Sequence, residues 1–187
     1  TNAVLHLLAI AGRLGVPLSL DDIDAVSREI PLLVDLMPSG RFLMEEFAYA
    51  GGVPALMAGL RERLHLDAIT VTGQTLGADL ASARNDDPDV IRPLENPVQP
   101  AGSGTAVLRG NLAPDGAVLK VSAADPDLLT HTGPALVFDR LEDYQAVMGD
   151  LALDVTADTV LIVRNCGPRG YPGMPEVGNL PMPANLL

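Results

Sequence analysis

A proline-rich stretch in the middle of the chain constrains the fold more than any other feature. Residues 85–103 begin Asn-Asp-Asp-Pro, continue through Pro93, Pro97 and Pro100, and run into Gly102-Ser103-Gly104. Proline fixes φ and has no backbone N–H, so neither a helix nor a central strand passes through such a stretch. We therefore predict an irregular connection at 85–103 between two differently built parts, residues 1–84 and 104–187.

The first part has the patterns of helices. Residues 2–14 are apolar on nearly every side, which predicts a buried helix. Ser19 followed by Asp22 indicates a capping box that begins a second helix, which ends before Pro31. The remaining predicted elements are a helical stretch at 42–64, a short strand at 68–72 and a helix at 75–83.

The second part has the patterns of strands. Two β-prone runs flank a segment that ends in Asp115-Gly116, which predicts a hairpin. We also expect a short helix and two further strands, the last of them in the core. The predicted ranges are 105–109 and 117–121 for the hairpin, 135–138 and 159–163 for the strands, and 141–148 for the helix. The chain as a whole is thus predicted to be mixed α+β.

Charge and composition exclude several classes of function. The chain has 24 acidic and 12 basic residues, a net charge of −12, so nucleic acid and anionic membranes are unfavourable partners. It has no apolar run of about 18 residues, and its apolar start lacks the basic leader of a signal peptide. We expect a soluble, cytoplasmic, globular protein. The single cysteine, Cys166, cannot form an internal disulfide or hold a thiolate-ligated cluster by itself, and we expect it to pack as a small apolar side chain.

Residues 167–176, Gly-Pro-Arg-Gly-Tyr-Pro-Gly-Met-Pro-Glu, form the most informative segment for function. Three glycines and three prolines in ten residues predict a stiff loop, which follows a predicted strand and ends at Glu176. A stiff backbone suits a carboxylate that binds a metal or transfers a proton. A surface loop with an incidental glutamate is the alternative, and composition alone favours it.

That segment, together with Arg164-Asn165-Cys166, resembles the signature of the dihydroxy-acid/6-phosphogluconate dehydratase family. Four further blocks resemble the same family and occur in the family's order. They are residues 1–7, 35–54, 70–76 and 108–116. Each block is moderately specific, and together they extend over the whole chain.

The resemblance implies a hydro-lyase that converts 2,3-dihydroxy carboxylates into 2-keto acids. Family members use an iron–sulfur cluster, 2Fe-2S or 4Fe-4S, as a Lewis acid on the leaving hydroxyl, and Mg²⁺ to bind the substrate. Glu176 falls on the family's Mg²⁺-ligating glutamate. The cluster cysteines, the other Mg²⁺ ligands and the catalytic serine belong to family segments outside residues 1–187. We therefore assign no catalytic residue within the chain, expect it to be inactive alone, and give Lys120 no role as the family's modified lysine.

The resemblance also implies a domain arrangement and a substrate class. Residues 1–84 would complete an α/β domain, and residues 104–187 would form an incomplete β-rich, swivelling, barrel-like domain, with the active site between the two. The complete enzyme is expected to be a homo-oligomer, a dimer or tetramer. Residues 165–183 resemble the sugar-acid branch, whose substrates include pentonates such as L-arabinonate.

Three alternatives to this function remain. One is a dihydroxy-acid dehydratase of branched-chain amino-acid biosynthesis. Another is the swivelling domain of an aconitase-like isomerase, which the helical first part fits poorly. The third is a non-catalytic packing or dimerisation module.

Five other positions have two interpretations each. Thr1 and Asn2 begin a helix, where free N–H groups could bind a substrate carboxylate, although both are also ordinary capping residues. Ser39 lies in a Pro-Ser-Gly turn and could line a pocket. Arg109 could meet a substrate acid, but a structural ion pair is the favoured use. His6 is expected to be a core histidine rather than an active-site group.

Overall fold

The computed structural model describes residues 2–165 and 180–187. The chain divides into two compact units, Ala3–Ala124 and Asp125–Leu187. It is a mixture of helices and short strands, as predicted. In chain order the main elements are α1 Asn2–Leu14, α2 Leu20–Glu29, α3 Met44–Tyr49, α4 Gly52–Gly59, α5 Leu76–Asp79, β1 Ala106–Leu108, β2 Ala117–Leu119, β3 Ala135–Phe138, α6 Leu141–Val147 and β4 Val160–Val163.

Helix α1 has the predicted bounds but not the predicted burial. Only Ala11 is buried, while Leu7, Ile10 and Leu14 are 51%, 57% and 74% exposed. An apolar surface on every side requires neighbours on every side, and the described residues cover only part of this helix. The prediction of a buried helix is therefore wrong for this chain. His6 is also exposed, so its interpretation as a core histidine is wrong as well.

The capping box at the start of α2 is confirmed. The Ser19 hydroxyl accepts from the Asp22 N–H at 3.3 Å, and the Ser19 N–H donates to the Asp22 carboxylate at 2.8 Å. The Ser19 hydroxyl also donates to the Asp22 carboxylate at 2.7 Å, and this hydrogen bond, followed by that from the Ser19 N–H, lowers the pKa of Asp22. The helix ends at Glu29, before Pro31, as the sequence indicated.

The predicted helical stretch at 42–64 is broken into α3 and α4. Gly51 stands between them with φ of 109°, a left-handed conformation that glycine adopts without a steric cost. A Cβ at this position would also overlap the Arg84 carbonyl oxygen. The break lets both helices contribute to the core of the first unit, through Phe47 from α3 and Ala55 from α4.

The proline-rich connection forms neither a helix nor a strand, as predicted. It nevertheless supplies Val90 and Ile91 to the buried core, where they pack with Phe47, Ala50 and Ala55. Backbone hydrogen bonds join it to residues 32 and 33, including one from the Arg92 N–H to the Leu33 carbonyl at 2.8 Å. The connection is thus part of the first unit. The division at 85–103 into two domains stays a prediction.

Two local predictions after α4 are wrong. Residues 68–72 form turns and a single bridge between Ile69 and Thr75 rather than a strand. Helix α5 has four residues instead of the nine expected at 75–83. The reason lies in side-chain hydrogen bonds, because the Thr70 and Thr72 hydroxyls both donate to Asp79 and hold the segment folded back on itself.

The hairpin and the other strands are confirmed. Strands β1 and β2 pair antiparallel, with Val107 opposite Val118. Strands β3 and β4 pair in parallel, and α6 forms the crossover that such a pair requires. The expected core position of the last strand is not observed, since the residues of β4 are half-buried or exposed and β3 is its only neighbour among the described residues.

Both sheets are two-stranded and open within the described ranges, so the barrel-like domain stays a prediction. No helix in the part of the chain that the structure describes is long and apolar enough to cross a membrane.

Candidate functional site

The loop at residues 35–42 is closed by hydrogen bonds of its own backbone. The Asp35 carbonyl accepts hydrogen bonds from the N–H groups of Arg41 and Phe42, at 2.8 and 2.9 Å. A Cβ at Gly40 would overlap the backbone and carboxylate of Asp35, so the loop can close this tightly only with glycine there. The family-like block at 35–54 therefore begins with a compact loop of defined shape.

Arg41 is occupied by groups of this same loop. Its Nε donates to the Asp35 carboxylate at 2.5 Å, and its guanidinium lies 5.0 Å from the centre of the Phe42 ring. The ion pair neutralises Asp35, whose side chain is only 17% exposed. Charge from Asp35 and Arg41 thus cancels beside the turn that holds Ser39.

Ser39 lies in a turn and also lines a cleft, so both of its interpretations are consistent with the structure. The cleft has a volume of about 310 Å³. Its polar lining residues are Asp35, Ser39, Gln99, Lys120 and Ser122. The Lys120 ammonium donates to the Ser39 hydroxyl at 2.8 Å across 81 residues of sequence. Sequence reasoning missed this pairing, and the one available signal was that Lys120 is the chain's only lysine.

Arg109 forms the structural ion pair that was favoured for it. Its guanidinium lies 2.6 Å from the Asp21 carboxylate, and both side chains are exposed. Next to it, Asp24 of α2 accepts from Arg28 at 2.6 Å and from the Val107 N–H at 3.1 Å. These two hydrogen bonds, with that from Arg28 the larger influence, lower the pKa of Asp24. The contacts join α2 to β1.

The end of β4 leads into the segment that contains Glu176. Arg164 pairs with Asp139 at 3.0 Å, and the Asn165 side chain donates to the Asp139 carbonyl at 3.3 Å. Asn165 has φ of 58°, a left-handed conformation that asparagine tolerates better than most residues. The last described position before the glycine- and proline-rich segment is therefore held against the end of β3.

Residues on the other side of that segment are held by the same unit. The Tyr144 hydroxyl donates to the Pro181 carbonyl, and its ring is fully buried. The Ala184 N–H donates to the Met148 carbonyl at 2.8 Å. The Asn185 side chain donates to the Leu153 carbonyl at 2.8 Å. Both flanks of residues 166–179 are thus anchored around α6 and β3.

Two of the three predicted site residues, Thr1 and the predicted Mg²⁺ ligand Glu176, lie outside the described part of the chain. Cys166, which was expected to pack as a small apolar side chain, lies outside it as well. Asn2 is described as the first, half-buried residue of α1. The predicted roles of Thr1, Asn2 and Glu176 stay predictions. Residues 2–165 and 180–187 contain no cysteine and no group of three or more His, Asp or Glu side chains placed to hold a metal.

Comparison with known proteins agrees with the family-like blocks. Residues 1–79 match the model "Dihydroxy-acid/6-phosphogluconate dehydratase N-terminal". Residues 89–187 match the model "Dihydroxy-acid/6-phosphogluconate dehydratase C-terminal".

Among curated proteins, the L-arabonate dehydratase of Azospirillum brasilense is 56% identical over 190 residues. The L-arabinonate dehydratase of Rhizobium leguminosarum bv. trifolii is 53% identical over 189 residues. In both cases the match covers all of this chain and 32% of the relative. The dihydroxy-acid dehydratase of Acetivibrio thermocellus is 47% identical over 179 residues, 95% of this chain and 32% of that protein.

The chain therefore spans about a third of the length of these relatives. The two family models together match all of it except the nine residues 80–88. This gap includes the start of the proline-rich connection. The chain belongs to the dihydroxy-acid/6-phosphogluconate dehydratase family.

Proposed function

We propose that the full-length protein is a hydro-lyase that dehydrates a sugar acid, such as a pentonate, to a 2-keto-3-deoxy acid. Membership of the family supports the reaction class, since the relatives above are dehydratases by name. It also weighs against a purely non-catalytic packing module. The same proposal includes a cytoplasmic homo-oligomer that contains a swivelling, barrel-like domain built in part from residues 104–187.

The choice of a sugar acid is supported by one observation, the difference in identity between two kinds of relative. Dehydratases named for L-arabonate or L-arabinonate are 56% and 53% identical, whereas the dihydroxy-acid dehydratase is 47% identical. A pentonate has more hydroxyl groups than a branched-chain dihydroxy acid. A pocket that hydrogen-bonds those hydroxyls rejects a ligand that lacks them, because the pocket's own polar groups would then be unpaired.

The cofactors are part of the proposal. The bound iron–sulfur cluster and Mg²⁺ would supply Lewis acids for the leaving hydroxyl and for the negative charge that develops on the substrate. Within this chain, Glu176 would contribute a hard carboxylate ligand to Mg²⁺. Anchoring of both flanking segments by Asp139 and Tyr144 supports this role, since it reduces the freedom of the chain on either side of the ligand. Thr1 and Asn2 would present the start of α1 to the substrate carboxylate.

A direct kinetic comparison tests the substrate. With the full-length, cofactor-loaded protein we expect kcat/KM for L-arabinonate to exceed that for 2,3-dihydroxyisovalerate by at least about tenfold, which needs only about 1.4 kcal/mol of differential transition-state binding. A panel of pentonates and hexonates would identify the preferred sugar acid. Preference for the branched-chain acid would overturn the substrate class and favour the biosynthetic dehydratase.

A further inference from the structure

Lys120 has a positive charge that no acid of the described chain neutralises. Six ion pairs of the described chain each join an arginine to an aspartate, whereas the contact of Lys120 is with the neutral Ser39 hydroxyl. Lys120 differs from the exposed arginines without a carboxylate partner, such as Arg13, in that it lines a cleft. The neighbouring pair of Asp35 and Arg41 is neutral, so the cleft has a local charge near +1.

The groups around Lys120 are suited to an oxyanion. The Ser39 oxygen accepts from Lys120, which leaves the Ser39 hydroxyl proton available to a ligand. Ser122 and Gln99 add a hydroxyl and an amide to the same lining. Ammonium, hydroxyl and amide donors together form charge-assisted hydrogen bonds with carboxylates.

The rest of the cleft suits a short carbon chain. Its remaining lining includes Leu32, Val34, Leu36 and Met44, and its volume of about 310 Å³ is at the small end of ligand pockets. The turn that presents Ser39 is closed by two backbone hydrogen bonds to Asp35. A ligand would therefore meet a donor group that is already in place, with little ordering cost.

We propose that this cleft binds a small hydroxylated carboxylate, with the carboxylate at Lys120 and the hydroxyls at Ser39, Ser122 and Gln99. The choice of a sugar acid as the ligand rests on the proposed function. The site itself rests on the unpaired charge of Lys120 and on the lining of the cleft. It lies wholly within residues 32–122 of the first unit and uses neither Glu176 nor a metal.

Binding by the full-length protein tests this proposal. Isothermal titration with L-arabinonate would compare the native protein with Lys120→Met, which keeps most of the apolar stem and removes the charge. Lys120→Arg restores the charge, and Ser39→Ala removes one hydroxyl. Arg13→Met is the matched control, because it removes one exposed positive charge from α1, outside the cleft. Circular dichroism would verify that each variant folds.

We expect Lys120→Met to weaken binding of L-arabinonate about tenfold or more, in the range reported for hydrogen bonds to charged groups. Lys120→Arg should recover most of the loss, Ser39→Ala should lose a smaller factor, and Arg13→Met should bind like the native protein. The KM for L-arabinonate should stay near the native value, because the cleft uses neither Glu176 nor a metal, and the dependence of the rate on Mg²⁺ concentration should also stay unchanged.

Two outcomes separate the proposals. If the native protein dehydrates pentonates and Lys120→Met binds them as tightly as the native protein does, the cleft proposal is wrong and the proposed function stands. If the native protein dehydrates only 2,3-dihydroxyisovalerate, the sugar-acid function is wrong. In that case titration of L-arabinonate into the native protein and Lys120→Met still decides the cleft, because equal affinities would exclude it.

Discussion

Tyr144 provides the sharpest structural test of how the segment containing Glu176 is held. Its ring is fully buried and meets the Phe138 ring edge-on, with 5.3 Å between ring centres. Its hydroxyl donates to the Pro181 carbonyl. Burial raises the pKa of Tyr144, so the hydroxyl stays protonated and able to donate. One side chain therefore combines core packing with a hydrogen bond to the chain that follows residues 166–179.

Two substitutions separate these contributions. Tyr144→Phe keeps the ring and removes the hydrogen bond. Because Pro181 is exposed, water can reach its carbonyl, and the cost should be about 1 kcal/mol, at the low end for a lost hydrogen bond. Tyr144→Ala also removes the ring, and loss of a large buried aromatic costs about 3–5 kcal/mol.

Hydrogen exchange measured by mass spectrometry resolves these costs locally in the full-length protein. For Tyr144→Phe we expect exchange to accelerate by about fivefold in peptides that contain the Ala184 and Leu186 amides, since 1 kcal/mol corresponds to about that factor. Tyr144→Ala should accelerate it by about 100-fold or more in these peptides and in α6. Both amides are hydrogen-bonded in the structure, so their exchange reports the opening of this anchor.

Tyr49→Phe is the matched control. Tyr49 is 75% exposed and its hydroxyl donates to Glu45 within α3, at 3.1 Å. Removing that hydroxyl should leave exchange of residues 180–187 unchanged. Equal exchange in Tyr144→Phe and Tyr49→Phe would refute the role of the Tyr144 hydroxyl as an anchor.

Two further predictions concern Glu176 and Asp24. In the enzyme loaded with its cluster and Mg²⁺, Glu176→Gln should lower activity by roughly 100-fold or more, because it removes the charge that Mg²⁺ requires. The iron content should stay unchanged. Near-normal activity with unchanged Mg²⁺ dependence would contradict the assignment. The pKa of Asp24 is lowered by Arg28 and the Val107 N–H, so its stabilisation is present above the unfolded-state pKa of about 3.9 and is lost as pH falls through the lower folded value. Asp24→Asn should therefore make urea unfolding less sensitive to pH below about 4 than in the native protein, and an identical pH profile would exclude this contribution.

Local sequence signals predicted the elements whose cause is local. The capping box of Ser19 and Asp22 joins residues three apart, and the turn ending in Asp115-Gly116 sets the pairing of β1 with β2. Gly51 shows the limit of helical periodicity, because a left-handed residue can stop a helix while the apolar spacing continues beyond it. Side-chain hydrogen bonds from Thr70 and Thr72 to Asp79 likewise replaced a predicted strand with turns.

Burial was predicted less well, because it depends on neighbours that are distant in sequence. The apolar character of α1 indicates a helix that needs partners, but it does not identify them, and the described chain covers only the side near Ala11. In the proline-rich connection, burial was underestimated rather than overestimated. Irregular backbone was expected there, yet its Val90 and Ile91 are almost completely buried. Proline excludes regular hydrogen bonding and does not exclude apolar side chains from a core.

The two candidate sites, at Glu176 and in the Lys120 cleft, differ in how visible they are in the sequence. Glu176 lies in a continuous segment, so its composition and its family-like signature are visible in the sequence. Lys120 and Ser39 are 81 residues apart, and no local pattern relates them. The proline-rich connection pairs with residues 32–34, which brings Gln99 beside Leu32 in the lining of the same cleft. Substitutions in that connection should therefore disturb the Lys120 cleft even where they contact none of its polar residues, whereas a substitution at Lys120 should leave the connection intact. Measuring L-arabinonate affinity in Ile91→Ala beside Lys120→Met would test this asymmetry, since only the core substitution should also lower the unfolding temperature.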